Sequence, residues 1–136
     1  KQHHVFTLAT SHNDEPYCCS CFYAYSKEKN IFIFTSEKTT KHVSDIEMQS
    51  RVAGNIHLET KIIGKIRGIQ FTGTVHEAIN EDLSYCKMKY LLRFPYAILN
   101  TSTIWYIKPN FIKLTDNRLG FGKKIIWKEP DDNHNL

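Results

Sequence analysis

Short alternating runs of apolar and polar residues, separated by polar turns, set the pattern of this chain. Val5 to Thr10 predicts a first strand, broken by the polar turn Ser11 to Pro16. Tyr17 to Tyr25 predicts a second, with Tyr17, Tyr23 and Tyr25 on one face and Phe22 on the other. Ser26 to Asn30 reads as a hairpin loop that returns into Ile31 to Thr35, the mark of an antiparallel meander. Thr40 to Gln49 predicts a short helix with Val43 and Ile46 on one side. Arg51 to Leu58 follows as a strand, then a turn around Glu59 to Gly64. Lys65 to Ile79 predicts a long strand interrupted by Gly68 and Gly73, and glycines inside a strand mark bulges, sharp bends or close approaches. Glu81 to Phe94 is the clearest helix, with Asn80 as its cap, Glu81 and Asp82 at its positive end and Pro95 as its stop. Leu83, Cys86, Tyr90, Leu91 and Phe94 fall on one face of it and predict core packing. Ser102 to Lys108 and Phe111 to Asp116 read as two strands joined by a turn at Pro109-Asn110. Leu119 to Trp127 adds a glycine-flanked Phe121 and a last strand.

About six or seven strands, with two helices inserted at separate points and no βαβ alternation, predict a mainly-β fold, an antiparallel barrel carrying helices. At 136 residues the chain is expected to form one domain over residues 1–128, with 129–136 as a flexible acidic, Asn-rich tail. It starts at Lys1 without a methionine or a signal-like apolar segment, as expected of a fragment or a trimmed chain.

Composition narrows the function classes. No apolar run approaches the ~20 residues that span a bilayer, so no membrane partner is expected. The net charge of +4 is spread over strands and turns rather than gathered on one face, which argues against nucleic acid and suits a small anionic ligand. Of the four cysteines, Cys18, Cys19 and Cys21 share one strand. Alternation sends Cys18 to one face and Cys19 and Cys21 to the other. A Cys18–Cys19 disulfide is disfavoured, and no second Cys-x-x-Cys half completes a zinc site, so no metal is expected. The cysteines are expected to be free thiols in a reducing compartment, and the expected location is the cytoplasm.

The stretch Ile31 to His42 carries the candidate chemistry. A buried-strand pattern ends in the hydroxyls of Thr35 and Ser36, and a helix then begins after Thr39 and Thr40 with Lys41 and His42 in its first turn. A helix N-terminus offers unpaired N–H groups and a positive dipole end, suited to a phosphate. The alternative is that Thr39 or Thr40 is simply an N-cap and the lysines are solvated. The local pattern leaves both open.

Strung together, the strand ending Ala9-Thr10, the turn ending Pro16, Phe34-Thr35-Ser36, the basic helix start, Val52-Ala-Gly54, Gly68-Ile-Gln-Phe-Thr-Gly73, Arg93-Phe-Pro95 and Thr115-Asp-Asn-Arg-Leu-Gly-Phe-Gly-Lys-Lys124 resemble the FMN-binding split-barrel superfamily, the pyridoxamine 5′-phosphate oxidase-like proteins, and within it a small single-domain bacterial group. The resemblance covers nearly the whole chain. It implies a six-stranded antiparallel split barrel of Greek-key topology with two or more short helices, and a homodimer holding FMN at its interface. It also implies that Cys19, Ser20, Cys21 and Phe22 lie along the flavin, that Thr35 and Ser36 contact the phosphate, and that Lys41 and His42 are the basic pair. His42 stands where the family usually has lysine, so phosphate affinity is expected to depend more on pH. Gln70 is the candidate flavin-contacting glutamine and Trp105 the candidate late tryptophan, with core packing as its alternative. The arginine cluster that the true oxidases use for substrate phosphate is not recognisable, because Arg118 is the only arginine after Arg93.

No residue stands out as a catalytic acid or base. The readings carried forward are an FMN-dependent oxidoreductase acting on a small molecule, a flavin-binding or storage module without turnover, and a haem-binding protein. For haem, His3 and His4 lie near a free end, and His57 and His76 fall in strand patterns.

Overall fold

The computed structural model describes residues 3–99 and 101–131. Seven strands form: β1 (Val5–His12), β2 (Glu15–Ser26), β3 (Ile31–Thr35), β4 (Arg51–His57), β5 (Arg67–Glu77), β6 (Ile104–Asp116) and β7 (Lys124–Lys128). Two α-helices, α1 (Lys41–Met48) and α2 (Asn80–Arg93), are inserted after β3 and after β5. The strands run antiparallel in the order β3-β2-β1-β4-β5-β6-β7, and β3 also pairs with β6. That last pairing closes the first six strands into a barrel and leaves β7 outside on β6. The run β4-β1-β2-β3 is a Greek key. The expected mainly-β split barrel is therefore present. The tail expected over 129–136 lies outside the described residues from 132 onward.

Alternation on each strand divides the apolar residues between two cores. Phe6, Leu8, Tyr23, Phe32, Phe34, Val52, Phe71, Val75, Trp105 and Ile107 point into the barrel, and Val43 and Ile46 of α1 close one end of it. The opposite faces of β2 and β3 give Ala24, Ile31 and Ile33, which pack under Cys86 and Tyr90 of α2. Phe32 is stacked on Phe71 with centroids 4.4 Å apart, and Phe6 meets both Phe34 and Phe71 edge-on.

Several expectations need correction. Pro109-Asn110 is not a turn: β6 runs unbroken from Ile104 to Asp116. Thr72 pairs with Phe111 and Gly73 with Pro109, which leaves Asn110 as the extra residue of a bulge. Proline has no N–H to offer the ladder, so a bulge is where a strand tolerates it. Asn110 instead accepts from the Thr72 hydroxyl at 2.6 Å. The polar turn after β1 shrinks to two residues, Asn13 and Asp14, both at positive φ, and Ser11, His12, Glu15 and Pro16 join the ladder. Asn80 is the first residue of α2, with no side-chain cap before it, and Leu83 is 40% exposed although its spacing predicted a core role. Of the three tyrosines expected on one face of β2, only Tyr23 is buried.

Candidate functional site

The end of β3 and the start of α1 meet the inward face of β2 near the barrel end that α1 covers. Thr40 is the N-cap of α1, and its hydroxyl donates to the Glu37 carbonyl at 2.8 Å and accepts from the Val43 N–H at 3.4 Å. The capping alternative is thus real, and it does not exclude an anion. The N–H groups of Lys41 and His42 open the helix, where no intrahelical acceptor precedes them.

Side chains around this edge are already partnered. Ser36 is buried, and its hydroxyl is hydrogen-bonded to His42 Nε2. Its backbone is held on both sides, the N–H donating to the Thr103 carbonyl and the carbonyl accepting from Trp105 Nε1 at 3.1 Å. Thr35 donates to the Tyr90 hydroxyl at 3.4 Å. Lys41 Nζ lies 2.5 Å from Asp45 Oδ1, while Thr10 donates to Asp45 Oδ2 at 3.0 Å. The Lys41 ammonium holds the Asp45 carboxyl below its usual range, with help from the Thr10 hydroxyl and against the effect of burial. Burial holds the His42 imidazole below its ordinary range, so it is more fully neutral at pH 7, and the Asp45 charge only partly opposes this.

Beside His42 lie two thiols. Cys19 and Cys21 both point inward from β2, 3.8 Å apart at sulfur, and each offers Sγ within 4.8 Å of a His42 ring nitrogen. All four cysteines are free, with Cys18 exposed on the other face of β2 as alternation required. Hydrogen bonding to Cys21 holds the Cys19 thiol below the usual range. The same bond, together with burial, pushes the Cys21 thiol above it.

The fold brings the side chains of Cys19, Cys21, Ser36 and His42 together; that of Thr35 turns to Tyr90 on the outward face of β3, and that of Lys41 to Asp45. Ser20 and Phe22, the intervening β2 residues, point outward and are exposed, and Phe22 packs edge-on against Phe94. Gln70 is exposed on the outer face of β5, paired across the sheet with Asn55. Trp105 is buried in the barrel and reaches the site only through its bond to the Ser36 carbonyl. A separate open groove of about 420 Å³ lies over β1, β4 and β5, bordered by Thr10, Ser11, Arg51, Ala53, Thr72 and Asn110; none of the predicted site residues lines it.

Sequence reasoning missed three features here. Asp45 was readable in principle, because Lys41 and Asp45 stand at the i,i+4 spacing of a helical ion pair. Thr10 is 35 residues from Asp45 and gave no local signal. The approach of His42 to the two thiols joins separate elements, so a search for paired Cys-x-x-Cys motifs passed over it.

Comparison with known proteins gives the context. No family model matches the chain. It is 39% identical over 125 residues to a UPF0306 protein of Photorhabdus laumondii, covering 92% of this chain and 87% of that one. It is 36% identical over 125 residues to a UPF0306 protein of Klebsiella pneumoniae, covering 92% and 85%. Among solved structures, a heme binding protein from Mycobacterium smegmatis is similar at TM-score 0.76 and 14% identity, over 93% of this chain but 53% of that one, so the chain spans about half its length. A NimC/NimA family protein from Clostridium acetobutylicum is similar at TM-score 0.72 and 16% identity, over 94% and 85%. A pyridoxamine 5′-phosphate oxidase-related, FMN binding protein from Nostoc punctiforme is similar at TM-score 0.69 and 11% identity, over 94% and 82%. No helix among the described residues is long and apolar enough to cross a membrane. With its sequence identity to those relatives and its closed six-stranded barrel, the chain belongs to the UPF0306 family and has the fold of the FMN-binding split-barrel superfamily.

Proposed function

We propose that this chain binds FMN and acts as a flavin-dependent oxidoreductase on a small molecule, working as a cytoplasmic homodimer with the flavin at its interface. The observation that carries this reading is the meeting of the Thr35–Ser36 strand end, the N-terminus of α1 and the β2 segment at one edge of the barrel. A phosphate there takes the N–H groups of Lys41 and His42 and the positive end of the helix. Lys41 is half exposed, so its ammonium is free to turn from Asp45 to a phosphate, and Asp45 keeps the Thr10 hydroxyl when it does. Ser36 orients the His42 ring, and the second strand supplies the wall along which the ring and ribityl chain lie. Bound FMN supplies the redox chemistry, and the chain supplies binding, orientation and electrostatics. The shared fold with an FMN binding protein of Nostoc punctiforme supports the cofactor class. The exposed Phe121, Ile125, Ile126 and Trp127 outside the barrel support a partner surface.

The test is mass spectrometry of any small molecule that copurifies, followed by titration of the stripped protein with FMN. Quenching of flavin fluorescence at one FMN per chain is expected, and its absence overturns the reading. Anaerobic reduction of the bound flavin by NADH or NADPH, followed by turnover with an acceptor, separates an oxidoreductase from a storage module. A Soret band on haemin addition that is lost in His42→Ala, with no flavin quenching, replaces FMN by haem; the fold shared with the mycobacterial heme binding protein makes that arm worth running.

A further inference from the structure

The Cys19, Cys21 and His42 cluster has the donor set of a metal centre, its three donor atoms lying within 4.8 Å of one another. Two thiols on alternate positions of β2 face the same side, and an imidazole from the first turn of α1 meets them, so the three ligands come from two elements fixed by the barrel. A Zn–S bond of about 2.3 Å at the tetrahedral angle requires a sulfur–sulfur edge of about 3.8 Å. Cys19 and Cys21 stand 3.8 Å apart. A mixed thiolate and imidazole set favours zinc among common metals. Ser36 hydrogen-bonds His42 Nε2, which limits rotation of the ring and makes Nδ1 the nitrogen that would donate to an ion.

We propose that Cys19, Cys21 and His42 form a three-ligand tetrahedral Zn²⁺ site whose fourth position is open to water or an exogenous ligand. Binding replaces protons: the two thiols release theirs to solvent, the thiolates and the neutral imidazole donate to the ion, and no electron is transferred. Three protein ligands plus an open position is the arrangement of reactive rather than purely structural zinc. This assignment does not rest on the flavin reading, and it is measured on flavin-free protein with the metal alone.

The experiment titrates reduced, metal-free, flavin-free protein with Co²⁺ as the spectroscopic stand-in, then displaces it with Zn²⁺ in competition with a chromophoric chelator. One Co²⁺ per chain is expected, with a thiolate-to-cobalt charge-transfer band and intense tetrahedral d–d bands that Zn²⁺ removes. Cys19→Ser combined with Cys21→Ser abolishes both. His42→Ala keeps the charge-transfer band, changes the d–d bands, and weakens Zn²⁺ by more than the ~10–100-fold that follows loss of an outer partner. Cys18→Ser leaves everything unchanged and controls for the neighbouring thiol, while circular dichroism confirms that each variant is folded. Absence of a charge-transfer band in the reduced protein, its persistence in the double serine variant, or an unchanged zinc affinity in folded His42→Ala overturns the assignment.

Discussion

Gly54→Ala is the sharpest test of how the barrel core sets its own dimensions. Gly54 lies on β4 opposite Phe71, whose ring covers it. A Cβ built at Gly54 falls 2.3 Å from Phe71 Cζ and 2.8 Å from both Cε atoms. Ordinary contact begins near 3.5 Å, so the ring must retreat by about 1 Å. It has nowhere to go, because Phe71 is 2% exposed, stacked on Phe32 at 4.4 Å and set edge-on against Phe6 at 6.0 Å. Overpacking of this kind costs about 1–3 kcal/mol. At ~2.1 cal/mol/K of unfolding entropy per residue, a chain of 136 residues loses about 3.5 °C per kcal/mol, so Tm falls by roughly 4–10 °C. Urea unfolding followed by tryptophan fluorescence gives the free energy, and a Phe71→Leu background removes the clash. Phe71→Leu destabilises on its own through lost burial, but the two changes together cost less than their sum by about 0.5–3 kcal/mol. A Gly54→Ala penalty that is within about 0.5 kcal/mol of zero, or undiminished in the Phe71→Leu background, refutes this account of the core.

Gly73→Ala is expected to cost more than Gly54→Ala in the same urea assay. Its Cβ meets the Lys108 carbonyl at 2.5 Å and Pro109 Cα at 2.9 Å, which are backbone atoms at the β6 bulge and cannot swing aside; equal or smaller destabilisation contradicts this. Asp116→Asn is expected to flatten the acid limb of thermal stability. Hydrogen bonding from Arg118 holds the Asp116 carboxyl down to about 2, below its unfolded value near ~3.9. A depressed folded value means that this contribution is complete above about pH 4 and is lost as pH falls towards about 2. Parallel acid limbs for the two proteins, measured as Tm against pH, refute it.

The fold was legible because its signals are local and repeated. Period-two runs, a polar hairpin loop and an acidic helix start closed by Pro95 each act within a few residues. What escaped depended on partners far along the chain. Pro109 reads as a strand breaker until Gly73 of β5 opposes it and makes room for a bulge. Leu83 has helical spacing, yet the covered face of α2 centres on Cys86 and Tyr90, which meet β2 and β3. At the candidate site, Thr35, Ser36, Lys41 and His42 were readable because the end of a strand and the start of a helix are adjacent in sequence. The Thr10–Asp45 bond and the approach of His42 to Cys19 and Cys21 were not, since each arises only when the barrel brings α1 against β1 and β2.

The central claim is that the edge formed by Thr35, Ser36 and the start of α1 holds the phosphate of a flavin. Riboflavin carries the same ring and ribityl chain without that phosphate, so paired fluorescence titrations with FMN and riboflavin isolate the edge. FMN is predicted to bind the stripped protein more tightly by about 2–5 kcal/mol, roughly 30-fold to several thousand-fold, from charge-assisted hydrogen bonds. That advantage is predicted to collapse when Lys41→Ala and His42→Ala are combined, with riboflavin affinity little changed. Equal affinity for the two flavins, or an FMN advantage that survives the double substitution, contradicts it.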